Sequence, residues 1–320
     1  MIRSLPEGDS PKSCRKYTFT VFTATHNRAH TLYRAYESLK AQTFRDFEWL
    51  VVDDGSTDDT ESLIMEWSKE ADFPIRYIRQ SNRGKHVALN RGVQEAKGRF
   101  FLILDSDDGC VPEALERLKY HWDTIPEEAR NDYVGVTALC MDQYGKRVGS
   151  AFPSDVMDSD ALEIRYKHKV QGEKWGFLRT DVLKEYPFPE PGMRTYVPES
   201  IVWSQMARKY KTRFVNEELR IYWMEGPSLV HGQRPAENAE GGRLQHQAVL
   251  NSELDWFWYA PVAFLRSAVH YVRFSLHAGV RVMEQARSLR PFLARILWTA
   301  ALPLGYVVFV LDRHRAKEGR

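Results

Sequence analysis

Apolar runs and polar breaks alternate along the first third of the chain at the spacing of strands and helices. Residues 17–25 are rich in β-branched and aromatic side chains and read as a buried first strand. A polar break at 27–29 follows, and Thr31 can cap a helix running to about Gln42, with Leu32, Tyr36 and Leu39 on one face. Residues 47–52 form a second apolar run that ends in the turn-forming Asp53-Asp54-Gly55-Ser56. A helix over 57–70, a strand over 75–79, a helix over 86–96 closed by Gly98, and a strand over 100–104 complete this part. Strands alternating with helices imply a mainly parallel sheet covered on both faces. Ligands of such sheets collect beyond the carboxyl ends of the strands, where the polar clusters lie.

The pattern loosens afterwards. Residues 133–141 and 175–178 read as strands and 201–210 as a helix, while 214–215 and 219–223 read as edge strands. Residues 225–242 are rich in glycine, proline and charge without an apolar period, which predicts a mobile loop over the site. Trp256-Phe257-Trp258-Tyr259 opens a segment with an aromatic face and a basic face, the pattern of a helix lying in a lipid interface. The uncharged run 296–311 is shorter than the roughly 20 residues of a full span and contains Pro303 and Gly305. A re-entrant or surface-embedded hairpin is the first expectation, a short tilted span the second, and a soluble oligomer-forming helix pair the third.

With 320 residues, 43% of them hydrophobic and 28% charged, the chain has an ordinary globular make-up, enough for one large domain with an appendage. The net charge of +2 carries no nucleic-acid signal. After Trp256, however, ten lysines and arginines, from Arg266 to Arg320, face only Glu284, Asp312 and Glu318, a balance suited to an anionic membrane surface. Cys14, Cys110 and Cys140 have no metal-ligand spacing and read as reduced thiols of a cytoplasmic protein. Residues 1–16 are polar, with no apolar core of a secretory signal.

Two clusters can carry chemistry. Asp105-Ser106-Asp107-Asp108 follows an apolar strand, and carboxylates this close repel one another unless a cation lies between them. The cluster either grips a diphosphate through a hard divalent ion or caps the helix beginning near Pro112. Asp53-Asp54 either receives a base N–H or ribose hydroxyl or belongs to a helix cap formed with Ser56 or Thr57.

Taken in order, Thr23-Ala24-Thr25-His26-Asn27-Arg28, Gln42-Thr43-Phe44, Asp53-Asp54-Gly55-Ser56-Thr57-Asp58, Gly84-Lys85-His86, Asn90, Gly92 and Asp105-Ser106-Asp107-Asp108 resemble the family 2 glycosyltransferases. The resemblance covers roughly residues 19–223 and is strongest up to Pro112. It implies a GT-A fold: a Rossmann-like, mostly parallel central sheet flanked by helices, here followed by an amphipathic, apolar helical tail. The implied organisation is a polar segment at 1–16 and a GT-A domain at 17–224, divided into a nucleotide-binding half (17–112) and an acceptor half (113–224). A linker at 225–255 and a membrane-associating tail at 256–320 follow.

The resemblance also implies an inverting transfer from a nucleotide-sugar donor, a uridine diphosphate sugar, to a glycan or lipid-linked glycan at the cytoplasmic face of a membrane, with Mn²⁺ or Mg²⁺. Asp54 matches the residue that pairs with uracil, and Ala24, His26, Asn27 and Arg28 lie on the loop lining the nucleoside. The family pattern there is Pro-Thr-Tyr-Asn, from which Ala24 and His26 depart, so no tyrosine stacking carries over. Asp105 and Asp107 match the Asp-x-Asp motif, with Asp107 the principal metal ligand and Ser106 between them at the donor. Lys85 or Asn90 would approach the donor phosphates or sugar. Within Pro198-Glu199-Ser200-Ile201-Val202-Trp203, aligning the tryptophan puts Glu199 at the position of the catalytic base, the alternative being a residue that merely starts a helix. Glu173 and Trp175 would shape the sugar and acceptor pocket, and His231 and Arg234 would bring late metal or phosphate ligands. A sugar-nucleotide nucleotidyltransferase and a non-catalytic nucleotide-sugar-binding membrane protein are the alternatives. The first wants a glycine-rich triphosphate loop, which residues 23–28 do not provide.

Overall fold

The computed structural model of the chain describes residues 16–190, 192, 196–224 and 235–318. In chain order the elements are β1 (Tyr17–Thr25), α1 (Ala29–Lys40), β2 (Phe47–Asp53), α2 (Thr60–Glu70), β3 (Ile75–Arg79), α3 (Lys85–Glu95), β4 (Gly98–Ile103), β5 (Gly109–Cys110) and α4 (Ala114–Asp123). There follow β6 (Tyr133–Asp142), β7 (Val156–Ser159), α5 (Ala161–Tyr166), β8 (Lys174–Arg179), α6 (Thr180–Glu185), α7 (Ser200–Met206) and β9 (Lys211–Tyr222). Four helices close the described chain: α8 (Ala239–Ser252), α9 (Pro261–His277), α10 (Val282–Ser288) and α11 (Phe292–Glu318).

The strands form one sheet in the order β3-β2-β1-β4-β8-β6-β9-β5, with β7 also on β9. β3, β2, β1 and β4 are mutually parallel, whereas β8 runs antiparallel between β4 and β6. β1 lies between β2 and β4, so the chain changes direction across the sheet at β1, and the crevice beyond its carboxyl end is where such sheets bind ligands. The alternation of side chains along each strand splits the core in two. Phe19, Val21, Trp49, Val51, Phe100 and Leu102 face α1 and α4, and Phe22, Leu50, Val52 and Phe101 face α3, α6 and α7. Because both faces are covered, these strands are near-continuous apolar runs, which is why they stand out in the sequence.

Tight backbone approaches hold the second half of the sheet together. A Cβ on Gly135 of β6 would lie 1.9 Å from the carbonyl oxygen of Phe177 on β8. Gly135→Ala should therefore force the two strands apart at a cost of about 3 kcal/mol, lowering the melting temperature by several degrees. An unchanged thermal melt would show that the strands can yield there.

Three expectations need correction. The segments 214–215 and 219–223 are not edge strands but parts of the single strand β9, which lies between β6 and β5. The polar Asn216-Glu217-Glu218 that seemed to divide them is a bulge where the register on β6 shifts. Its side chains are spent on Phe152 and Ser154, on Arg117 and His121, and on Arg147 respectively.

The loop expected over 225–242, within the linker 225–255, ends earlier than its composition implies, because Ala239–Ser252 is helix α8; residues 225–234 lie outside the described chain. The glycines that suggested a loop are close-packing positions. A Cβ on Gly241 would come within 1.8 Å of the Tyr196 carbonyl oxygen, and one on Gly242 within 2.7 Å of the Phe274 ring on α9.

Third, 296–311 is no hairpin. It belongs to the 27-residue helix α11, which continues through Pro303. The stretch Phe292–Ala316 is, by length and composition, the one described helix long and apolar enough to cross a membrane. Arg295, Asp312 and Arg313, which flank that uncharged run, lie within the helix. Asp312 pairs with Arg273 at 2.6 Å and His277 at 3.0 Å, both on α9, and Gly305 abuts Val272. α9 buries Phe264, Ala268, Tyr271, Val272 and Ser275 among its neighbours. Val262, Leu265, Leu304, Val307 and Leu311 of α9 and α11 remain exposed. A groove of about 400 Å³ between the two helices is walled by Leu265, Val269, Ala301 and Leu304, with Arg266 beside them.

Candidate active site

The ends of β1, β2 and β4 converge with the start of α3 and the start of α7. Asp53 and Asp54 follow one another but divide their labour. Asp53 holds its own turn, accepting from the Ser56 amide (2.7 Å) and the Tyr77 hydroxyl (2.5 Å). Asp54 is buried and accepts from the Gln80 side chain (2.8 Å) and from the backbone amides of Arg83 (2.9 Å) and Gly84 (2.7 Å). Of its roughly four lone-pair positions, three are used, leaving one on Oδ2. Gly84 has φ of 100°, a conformation that glycine adopts at no steric cost. That turn lets its amide serve Asp54 and the next residue begin α3.

The next residue is Lys85. Its Nζ lies 2.8 Å from Asp105 Oδ1 and 2.9 Å from Glu199 Oε1. Asp105 Oδ2 in turn receives Arg220 Nη2 at 2.7 Å, and Arg220 also grips Asp108 through two nitrogens. Asp108 Oδ1 accepts from the Trp223 amide at 2.8 Å. A chain of alternating charge, Glu199-Lys85-Asp105-Arg220-Asp108, thus runs from α7 through α3 and the β4 end to β9. Burial works against the Lys85 charge, but the two carboxylates outweigh it and hold the ammonium above its ordinary range. Burial likewise opposes ionisation of Asp105, and Lys85 and Arg220 overcome it, holding the carboxyl well below its usual range.

Glu199 occupies the N-cap position of α7 yet makes no capping bond to the helix. Its carboxylate turns to Lys85, with the Tyr196 hydroxyl donating weakly to Oε2 at 3.4 Å. Helix initiation does not account for that orientation.

Other expected residues are placed differently. Asn27, at φ 53°, ties its loop to the Asp-Asp-Gly-Ser turn: its amide donates to Ser56 Oγ and its Oδ1 accepts from the Thr57 amide. His26 is exposed beside Asn82, Arg28 occupies the N-cap position of α1, Ala24 pairs with Val52 in the sheet, and Ser106 is buried between the two acids. Asn90 does not reach toward a donor, because its amide group is consumed by both backbone groups of Phe188 and by Glu190. Trp175 is not an exposed stacking platform. It is 4% exposed, lies in the core, and donates its indole N–H to the Ile103 carbonyl (2.6 Å) two residues before Asp105. Glu173 is exposed near the end of the same strand, and His231 and Arg234 lie outside the described residues.

Several residues went unnoticed in the sequence. Arg220 is hidden in the β9 pattern. Arg34 donates to the Asp107 carbonyl and stacks on Trp223 at 4.1 Å. The ring nitrogens of buried His86 and the hydroxyl of Thr25 have no hydrogen-bond partner among the described residues, an arrangement that a polar ligand group would relieve. Burial pushes the His86 imidazole below its ordinary range.

The described residues contain no group of three or more histidine, cysteine or acidic side chains poised to hold a metal. Asp105 and Asp108 are already neutralised by Lys85 and Arg220. The Asp107 carboxylate makes no hydrogen bond or ion pair with a described residue, and only its backbone carbonyl is engaged. These residues fit a Mg²⁺ or Mn²⁺ ion held by one carboxylate and otherwise by phosphate oxygens and water, not an all-protein cage.

Residues 20–136, which carry Asp54, Lys85 and the acids from Asp105 to Asp108 but not Glu199 or Arg220, match the model of glycosyl transferase family 2. That segment is a glycosyltransferase family 2 domain. A relative within reach of that family assignment is the GalNAc(5)-diNAcBac-PP-undecaprenol beta-1,3-glucosyltransferase of Campylobacter jejuni, 27% identical over 243 residues, 73% of this chain and 74% of that protein. An uncharacterized glycosyltransferase of Nostoc is 37% identical over 117 residues, 37% of this chain and 34% of its own. Among solved structures, S. aureus TarS 1-349 in complex with UDP-GlcNAc superposes with a TM-score of 0.66 at 17% identity, over 95% of this chain and 92% of that one. The mannosyltransferase PcManGT of Pyrobaculum calidifontis, in complex with GDP-Man and Mn²⁺, reaches 0.54 at 17% identity, over 96% and 91%. These likenesses show the GT-A fold expected for a family 2 transferase.

Proposed function

We propose that this glycosyltransferase moves a sugar with inversion from a uridine diphosphate donor to a hydroxyl of a lipid-linked glycan, with Glu199 as base. The observation that carries the reading is the Lys85 bridge, which brings Glu199 to the acid cluster that receives a donor diphosphate. In one displacement, Glu199 takes the acceptor's O–H proton, the acceptor oxygen bonds to the anomeric carbon, and the bond from that carbon to the diphosphate oxygen breaks with its electron pair leaving on the diphosphate. Asp54, with one lone pair left, receives the base N–H at the far end of the crevice, and Asp107 is the residue to hold a cation. A divalent ion bound there would neutralise charge on the departing diphosphate.

The lipid-linked acceptor is supported by the Campylobacter relative, whose name specifies an undecaprenol-linked substrate, and the uridine donor by the UDP-GlcNAc bound to TarS. The exposed apolar face of α9 and α11 and the arginines around it favour docking to the cytoplasmic face of an anionic bilayer, lying on it or inserting α11. The proposed organisation is a transferase unit over 17–224 with a helical docking unit that begins at Ala239.

A panel of nucleotide sugars tests this reading, with nucleoside diphosphate release followed with and without Mn²⁺ and anionic vesicles. Release from uridine donors, dependent on Mn²⁺ and lost in Asp107→Ala, is expected, together with co-sedimentation of the protein with the vesicles. Uridine donors that neither react nor shift the thermal melt would overturn it.

A further inference from the structure

Both oxygens of the proposed base are engaged in this structure, Oε1 with Lys85 at 2.9 Å and Oε2 with Tyr196 at 3.4 Å. An acceptor hydroxyl must come within hydrogen-bond reach of one of those oxygens to give up its proton, and the Lys85 ammonium stands on the better placed of the two. The same ammonium sits 2.8 Å from Asp105, at the rim where a donor diphosphate would arrive. One cation therefore serves two sites that act on different substrates.

We propose that Lys85 masks Glu199 until the diphosphate of a bound donor draws its ammonium away, so that the base is uncovered only when there is a sugar to transfer. This inference rests on the reading of Glu199 as base and adds a control to it: a lysine mask that only a bound diphosphate lifts.

The charges say which group moves. Among the described residues, the carboxylates of Glu199, Asp105 and Asp108 make their ion pairs with Lys85 and Arg220, three acids to two cations, so a diphosphate reaching this rim adds negative charge to a network already in acid excess. Arg220 cannot answer it. The guanidinium is buried, with side-chain exposure of 7%, and is held by Asp105 and by two contacts to Asp108. Lys85 can, since its side chain is 28% exposed and ends in a compact charge on a flexible four-carbon stem. A shift of a few ångströms toward the diphosphate costs it the contact to Glu199 and gains a more highly charged partner. Lys85 is thus a positioning residue, acting on the proton transfer through where it places its charge.

Carbodiimide coupling of a small amine to exposed carboxylates, read by peptide mass spectrometry on the full-length protein, tests the idea without knowledge of the acceptor. The probes are UDP and inorganic pyrophosphate, each with and without Mn²⁺. Glu199 should react slowly in the free protein and at least 5-fold faster with a probe bound. In Lys85→Met it should react fast from the outset, with no further response, while Lys85→Arg keeps Glu199 protected in the free protein. A Glu199 labelling rate that stays flat across both probes overturns the proposal, and that arm decides even if Lys85→Met does not fold. Failure of the base reading is a separate result: Glu199→Gln would keep its transfer activity whatever the labelling shows.

Discussion

Glu199→Gln lowers the turnover number by about 10³-fold or more while UDP affinity, measured by calorimetry, stays within about 2-fold of the parent. The expectation follows from what the substitution keeps. Glutamine has the same length, and its carbonyl oxygen can still accept from Lys85, so the charge chain from Asp105 to Asp108 is undisturbed. What disappears is a group able to take a proton from the acceptor hydroxyl as it attacks. A merely structural Glu199 would tolerate the change, because the residue makes no helix-capping bond. Turnover within 5-fold of the parent would remove Glu199 from the mechanism, and a large drop in UDP affinity would reassign it to donor binding.

The second large effect is on stability. Arg220→Met takes away the guanidinium that Asp105 and Asp108 share, leaving Asp108 with the Trp223 amide and Asp105 with Lys85. Removing one partner of a buried ion pair costs about 3–5 kcal/mol, mostly because the charge left behind is no longer compensated. At this chain length that corresponds to a fall in melting temperature of roughly 10 °C. The sign of the mechanism can be checked by adding Asp108→Asn. The double variant should recover part of the loss, since the stranded charge is then gone. A single variant that melts like the parent, or a double variant less stable than the single, would show that the pair does not anchor β9 to the acid cluster.

How much of this could be read from the sequence depended on what each residue was doing. The strands of the first half were legible because burial on both faces makes them unbroken apolar runs, and the acids were legible because they sit where those runs stop. Lys85 and Glu199 were singled out through the family pattern, and the structure brings them into contact. Arg220 was not found, because Asn216-Glu217-Glu218 divide its strand into two apparent fragments and a bulge leaves no apolar signature. Gly241 and Gly242 pointed to a loop when they mark two helix contacts, since the composition of a flexible segment and of a tight helix crossing can be the same. Trp175 and Asn90 look like ligand contacts in the sequence, but their polar atoms are used up inside the protein. Neither choice is visible without knowing which backbone groups lie opposite.

The helix α8 touches both ends of the molecule's business. Gly241 is pressed against the Tyr196 carbonyl, and Gln245 reaches Ser200, the neighbour of Glu199, at 3.5 Å. Its next residue, Gly242, packs on α9, which is pinned to α11 through Val272 and Arg273. With the lipid seat proposed for α9 and α11, this stack behaves as a depth gauge. The altitude of the proposed base above the bilayer would then be constant, and an acceptor would be chosen partly by whether its tether lifts the right hydroxyl to that height.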